Sequence, residues 1–209
     1  MIVDNPLVAP LVAKPRGRPL GFDPAAALDC AVELFWERGY EGVDVATIAA
    51  RAGVTKPSLY RLFGDKRSLF VHALRHYGET IAAVPIRAFL DGRDIRDAVA
   101  RLLASAAAAA TQPGRPSGCL MVCVAAQYAE TLPEVRALYA GGLAELERVV
   151  AGRFTLAIER GELCLHFPVA ARARLLVDLT QATALRARSG ASRADLETQV
   201  GCYTRLVLG

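Results

Sequence analysis

Five side chains between residues 55 and 61 could do chemistry together. Thr55, Lys56, Ser58, Tyr60 and Arg61 fall within the run TKPSLYR, and all carry hydrogen-bond donors, two of them cationic. Such types bond phosphate oxygens and the edges of bases. Thr55 reads as the N-cap of a short helix and Pro57 as part of its first turn, where a missing N–H costs little. Thr55 and Lys56 then lie at a helix N-terminus, where the dipole favours phosphate. The planar fork of Arg61 matches guanine O6 and N7, and it fits a phosphate equally well.

Two short helices joined by a tight turn must position these groups. In residues 44–63, DVATIAARAGVTKPSLYRLF, Ile48, Ala49, Gly53, Leu59 and Leu62 have helix-turn-helix spacing. Ala49 is small enough for a second helix to cross close to the first, and Gly53 supplies a left-handed turn. Leu59 and Leu62, one turn apart, are expected to bind the second helix to its domain. A helical hairpin with a solvated polar face is the plainer alternative. The donor-rich outer face favours contact with DNA.

Charge is distributed accordingly. The whole chain has a formal charge of +4, yet residues 45–67 alone hold Arg51, Lys56, Arg61, Lys66 and Arg67 against Asp65. Lys14, Arg16 and Arg18 precede them with no nearby acid, whereas acids and bases mix evenly beyond Asp91. A basic end on a near-neutral body suits a polyanion. Arg16-Gly17-Arg18-Pro19 reads as an extended segment whose arginines fit an A·T-rich minor groove, and it resembles the core of AT-hook peptides.

The rest reads as helix. Residues 1–20 hold four prolines and are expected to form a flexible arm. Asp23, Asp44, Thr55 and Asp65 are expected caps for helices running to Arg38, through the turn, to Phe63 and to about Ala83 before Pro85. Further helices are expected over 94–111, 118–130, 133–160 and 168–188, with Ser192 capping the last. The total is about nine, with no strand and no internal repeat, an all-α chain. Boundaries are expected at 20/21 and 67/68, separating arm, DNA-binding domain and an effector-binding and dimerisation domain. The five cysteines are odd in number and show no disulfide framework. With no secretory signal and no bilayer-length apolar run, they point to a reduced cytoplasmic protein with no membrane partner.

The stretches FWERGY (35–40), IAARA (48–52), GVTK (53–56), SLYRLF (58–63) and GDKRSL (64–69) resemble the TetR/AcrR family of bacterial transcriptional repressors. That resemblance covers residues 21 to about 70. It implies that the second helix of the pair lies in the major groove of a double-stranded operator, that Tyr60 contacts phosphate or sugar, and that Lys66 binds phosphate. Where many members carry a threonine before the second helix's cap, this chain has Val43. One backbone contact is then either missing or replaced by the backbone N–H of Asp44.

The resemblance also implies a homodimer and an effector pocket. Interface candidates are Leu175, Leu176, Leu179, Thr180 and Thr183 on one helix and Leu196, Val200, Tyr203 and Val207 on the next. Pocket candidates are Tyr77, Phe89, Cys119, Cys123, Gln127, Tyr128 and Phe154, an apolar lining suited to a hydrophobic small molecule. Cys119 and Cys123, four apart at an expected helix start, read either as small buried hydrophobes or as a sensor of oxidants and electrophiles. A DNA-binding protein without an effector is a further alternative, disfavoured by the large apolar body. His72, His76 and His166 have no evident catalytic or metal partner in sequence, so neither catalysis, a metal nor a cofactor is expected.

Overall fold

The computed structural model describes residues 23–209, so the basic arm with Arg16 and Arg18 lies outside the described residues. Every regular element among the described residues is a helix, in two compact units, one ending at Thr80 and the other spanning Ile81–Gly209.

In the first unit, α1 (Pro24–Arg38) is capped by the Asp23 carboxylate, which accepts from Ala25 N at 3.0 Å. Pro24 occupies its first turn, where a proline is already shaped for a helix. Gly39 ends it at φ 73°, a conformation a Cβ would penalise. The helices α2 (Val45–Arg51), α3 (Lys56–Phe63) and α4 (Lys66–Thr80) follow. Leu28, Ala31, Val32, Leu34 and Phe35 recur at helical spacing on α1 and are buried. Phe35 meets Phe70 of α4 edge-on at 4.8 Å, and Trp36 meets Tyr77 at 5.1 Å. Aromatic pairs in this geometry add about 0.5–1.5 kcal/mol beyond their burial.

The second unit holds α5 (Ala83–Leu90), α6 (Ile95–Ala110), α7 (Leu120–Cys123), a 3-10 turn (Ala125–Tyr128), α8 (Pro133–Glu159), α9 (Val169–Arg188), α10 (Arg193–Thr198) and α11 (Val200–Leu208). Its core joins Phe89, Leu102, Leu103, Val150, Phe154, Leu176, Val177 and Val207, drawn from five helices. Ser192 and Asp195 close a reciprocal capping box at the start of α10.

Three segments differ from the sequence expectation. α4 stops at Thr80, and Pro85 begins a helix of its own rather than ending one. As third residue of α5 it sits in a first turn, where its absent N–H has no intrahelical acceptor to lose. The stretch 118–130 divides at Val124, since a run apolar at every position from Leu120 to Ala125 has no period to hold one helix together. The last helix breaks at Gln199, where the Thr198 hydroxyl donates to Asp195 O at 2.6 Å.

Candidate functional site

The helix pair α2–α3 is built as its sequence suggests. Asp44 caps α2 by accepting from Ala46 N at 2.9 Å. Ile48 and Ala49 face inward, Gly53 takes φ 66° in the turn, and Val54 N donates to Ala49 O at 2.9 Å. Nothing lies within 4 Å of where a Gly53 Cβ would stand, so backbone conformation alone requires this glycine. Thr55 caps α3, its hydroxyl accepting from Ser58 N at 3.3 Å and sharing a 2.9 Å hydrogen bond with Ser58 Oγ.

α3 is anchored by Leu59 and Phe63, both buried, while Leu62 is half-exposed. Phe63, which was not anticipated, joins Leu59 at i, i+4 as the second fully buried anchor, beside the partly buried Leu62. Burying each such side chain contributes roughly 1.5–3 kcal/mol. Val43 is 2% exposed. The position preceding the α2 cap therefore belongs to the core, where a valine packs and a hydroxyl would need a partner.

Thr55, Pro57, Tyr60 and Arg61 are exposed, and Lys56 and Ser58 half-exposed, so the expected donors share the outward face of α3. Arg61 has no hydrogen-bond or ionic partner among the described residues and is free for a ligand. Lys56 Nζ lies 3.5 Å from Asp44 Oδ1 and 5.7 Å from the Tyr60 ring. The Ala46 N–H first, and Lys56 second, hold the Asp44 carboxyl below the usual carboxylate range. The Ser68 N–H and hydroxyl do the same for Asp65 at the start of α4. Lys66 Nζ lies 4.6 Å from the Tyr40 ring centroid and 4.0 Å from Glu41 Oε2. Arg51 is spent otherwise, on Glu33 of α1 at 2.5 Å.

Within the first turns of α3 and α4 the side-chain charge is basic. Lys56 opens α3, Lys66 and Arg67 open α4, and neither helix has an acid in its first turn. Cations at the positive end of a helix are unfavourable. An anion brought to these turns gains from both dipole and side chains, which is the arrangement a phosphate backbone needs.

The pocket candidates divide. Tyr77 belongs to the first unit's core, against Trp36. Phe89 and Phe154 are fully buried in the second unit's core, Phe154 edge-on to Phe167 at 5.3 Å. Cys119, Cys123, Gln127 and Tyr128 stay together on α7 and the 3-10 turn. Cys119 caps a helix of only four residues, too short to lend a thiolate much dipole. Cys123 is buried, its thiol donating to Ala184 O at 3.9 Å, and Gln127 donates to Cys123 O at 2.6 Å. Sequence reading missed two polar groups here. Tyr139 of α8 donates to Gln181 of α9 at 2.6 Å, and burial, with the neighbouring Cys119 and Cys123, pushes its phenol up. Tyr139 follows buried Val135 by one turn, and Gln181 interrupts an apolar face between Val177 and Ala184; that periodicity was the available signal. A cleft of about 210 Å³ opens elsewhere, among Thr183, Arg186, Asp195, Gln199 and Tyr203, and none of the seven pocket candidates lines it.

Of the interface candidates, Leu176, Thr183, Leu196 and Val207 are buried within their own protomer. Leu175, Leu179, Thr180, Val200 and Tyr203 are half-exposed, and the outward sides of α9 and α11 present Leu185 and Leu206, 51% and 50% exposed.

A recognition helix with an outward donor face, locked to its partner helix by a glycine turn and joined to a larger all-helical unit, defines the class of helix-turn-helix transcription regulators. Residues 27–73 match the model for bacterial regulatory proteins of the tetR family, and residues 96–200 match the tetracyclin repressor-like C-terminal domain. The chain belongs to the TetR family. It is 32% identical to the HTH-type transcriptional repressor ComR of Escherichia coli K12 over 93% of each chain. It is 36% identical to the repressor BdcR of the same organism over 51% of this chain and 54% of that one. Its structure resembles that of a cysteine mutant of the TetR family regulator CifR complexed with 26-base-pair double-strand operator DNA. The TM-score is 0.82 at 29% identity, over 90% of this chain and 98% of that one.

Proposed function

We propose that this protein is a cytoplasmic, non-catalytic repressor that binds a palindromic double-stranded operator as a homodimer and is released by a small hydrophobic ligand. The outward face of α3 carries this reading: Thr55, Lys56, Pro57, Ser58, Tyr60 and Arg61 face away from the core that Leu59 and Phe63 anchor. Lys66 extends the grip along the phosphates, and the Asp44 N–H offers a further donor. Arg16 and Arg18 add the minor groove on the same duplex. A single recognition helix reads few bases, so a two-fold partner supplies specificity. Ligand release requires tighter binding to a form whose recognition helices are wrongly spaced. The half-buried groups around Tyr139, Gln181 and Cys119 support a ligand site in the body.

Selection of bound duplexes from a random DNA library tests this directly. The expected product is a palindrome, and Arg61→Ala should weaken binding and relax preference at one base position, at a cost of about 1–3 kcal/mol. Recovery of sequences without two-fold symmetry, or an Arg61→Ala variant with wild-type affinity and preference, would refute the model.

One observation favours a second reading of the switch. Cys119 and Cys123 lie close enough to Tyr139 to affect its ionisation, so two thiols and a phenol share one polar spot. A soft electrophile captured there would act as a covalent effector.

A further inference from the structure

We propose that Tyr40 is a positioning residue for the phosphate contact of Lys66, an inference that rests on the operator-binding reading above. Lys66 is the first residue of a 15-residue helix, where its charge opposes the dipole, and an unrestrained lysine there would swing into solvent. The Tyr40 ring stops it. The ammonium stands 4.6 Å from the ring centroid, well inside the roughly 6 Å reach of a cation–π contact. The Lys66 side chain is only 28% exposed, and partial desolvation strengthens attraction to the ring face.

The ring is itself fixed from behind. It stacks on Phe35 at 6.2 Å with 26° between planes and meets Phe70 at 5.0 Å, and both phenylalanines are fully buried. Tyr40 therefore ties the cation to the aromatic core that joins α1 and α4. Glu41 is a weaker holder: its side chain is 78% exposed and 4.0 Å away, so water screens it and a phosphate displaces it. An aromatic face attracts the ammonium without competing as a carboxylate would, leaving outer N–H donors for a phosphate oxygen. Lys56 lacks such a seat. It lies 5.7 Å from Tyr60, a ring 42% exposed.

The experiment is a salt titration of binding to a mixed-sequence DNA duplex by wild type, Lys66→Ala, Tyr40→Leu, Tyr40→Phe and the Lys66→Ala/Tyr40→Leu pair. Each lost phosphate contact lowers the slope of log K against log salt by about 0.9, so a fourfold rise in salt weakens binding about 3.5-fold less per protomer bound. Tyr40→Leu should show the same flattening as Lys66→Ala, the pair no more than either, and Tyr40→Phe the wild-type slope. A ring that serves only as core filler would lower affinity without changing the slope. A folded Tyr40→Leu variant with the wild-type slope, or additive flattening in the pair, overturns the proposal. Wild-type nuclear magnetic resonance gives a check that needs no variant. The Lys66 ε-methylene protons should be shifted upfield by the ring, and resonances at the free-lysine position overturn the proposal too. A wild type that fails to bind duplex DNA refutes the operator reading instead.

Discussion

Gly118→Ala should destabilise this protein through two separable costs. Gly118 adopts φ 90°, and its N–H donates to Ala110 O at 2.8 Å, tying the end of α6 to the start of α7. A Cβ there would stand 2.7 Å from Cys123 Sγ, 3.0 Å from Ala184 O and 3.2 Å from Arg188 Cβ. Two costs follow. The left-handed backbone costs an L-residue roughly 1–2 kcal/mol. Crowding a packed site costs about 1–3 kcal/mol more. Their sum, about 2–5 kcal/mol, is a large share of the roughly 5–15 kcal/mol that holds a domain together. The two parts can be separated. Cys123→Ala removes the nearest obstacle, Sγ, and leaves the backbone cost and the Ala184 carbonyl in place. A double-mutant cycle should therefore show a favourable coupling of about 1 kcal/mol. The assay is urea unfolding of the four proteins followed by helical circular dichroism, comparing midpoints at equal slope. If Gly118→Ala loses less than about 0.5 kcal/mol, the range of ordinary surface changes, or if Cys123→Ala returns nothing, the packing argument around α7 is wrong.

Other expectations follow from the same structure. Leu185→Glu with Leu206→Glu should leave helical content intact and convert the proposed dimer to monomer by gel filtration; unchanged elution would move the interface elsewhere. Asp97 accepts from Arg93 N and from Arg101, and those donors, Arg93 first, lower its carboxyl from 3.8 to about 2. The unfolded chain takes up that proton more readily, so the stabilisation is complete above pH 3.8 and is lost as pH falls through about 2. Asp97→Asn should thus narrow the drop in melting temperature between those values, and an identical pH profile would exclude the effect. Cys119→Ser should abolish release from DNA by a maleimide if the thiol pair is the switch, and full release would end that reading.

The parts of this molecule legible from sequence were those governed by local chemistry. Asp23, Asp44, Thr55 and Ser192 cap helices because their side chains reach nearby N–H groups, and no tertiary knowledge was needed. The same holds for the turn at Gly53 and the outward donors of α3. Features set by competition between packed surfaces were harder to read. Leu176 and Val207 lie on amphipathic helices, and periodicity marks an apolar face without saying whether the protomer's own core or a second copy covers it. Pro85 carried two opposite meanings, stop and start, decided only by where α4 frays. Phe89 and Phe154 are buried in the core of the second unit, while the pairing of Tyr139 with Gln181 became visible only once α8 and α9 were side by side.

The lysines that open α3 and α4 carry a consequence for the protein's own robustness. A glutamate at either position would satisfy a helix dipole, yet it would repel the phosphate backbone in the proposed complex. If those lysines grip phosphates as proposed, selection for thermal endurance alone would work against them. On the proposed reading, the phosphates of the operator would supply the negative charge that these two first turns lack.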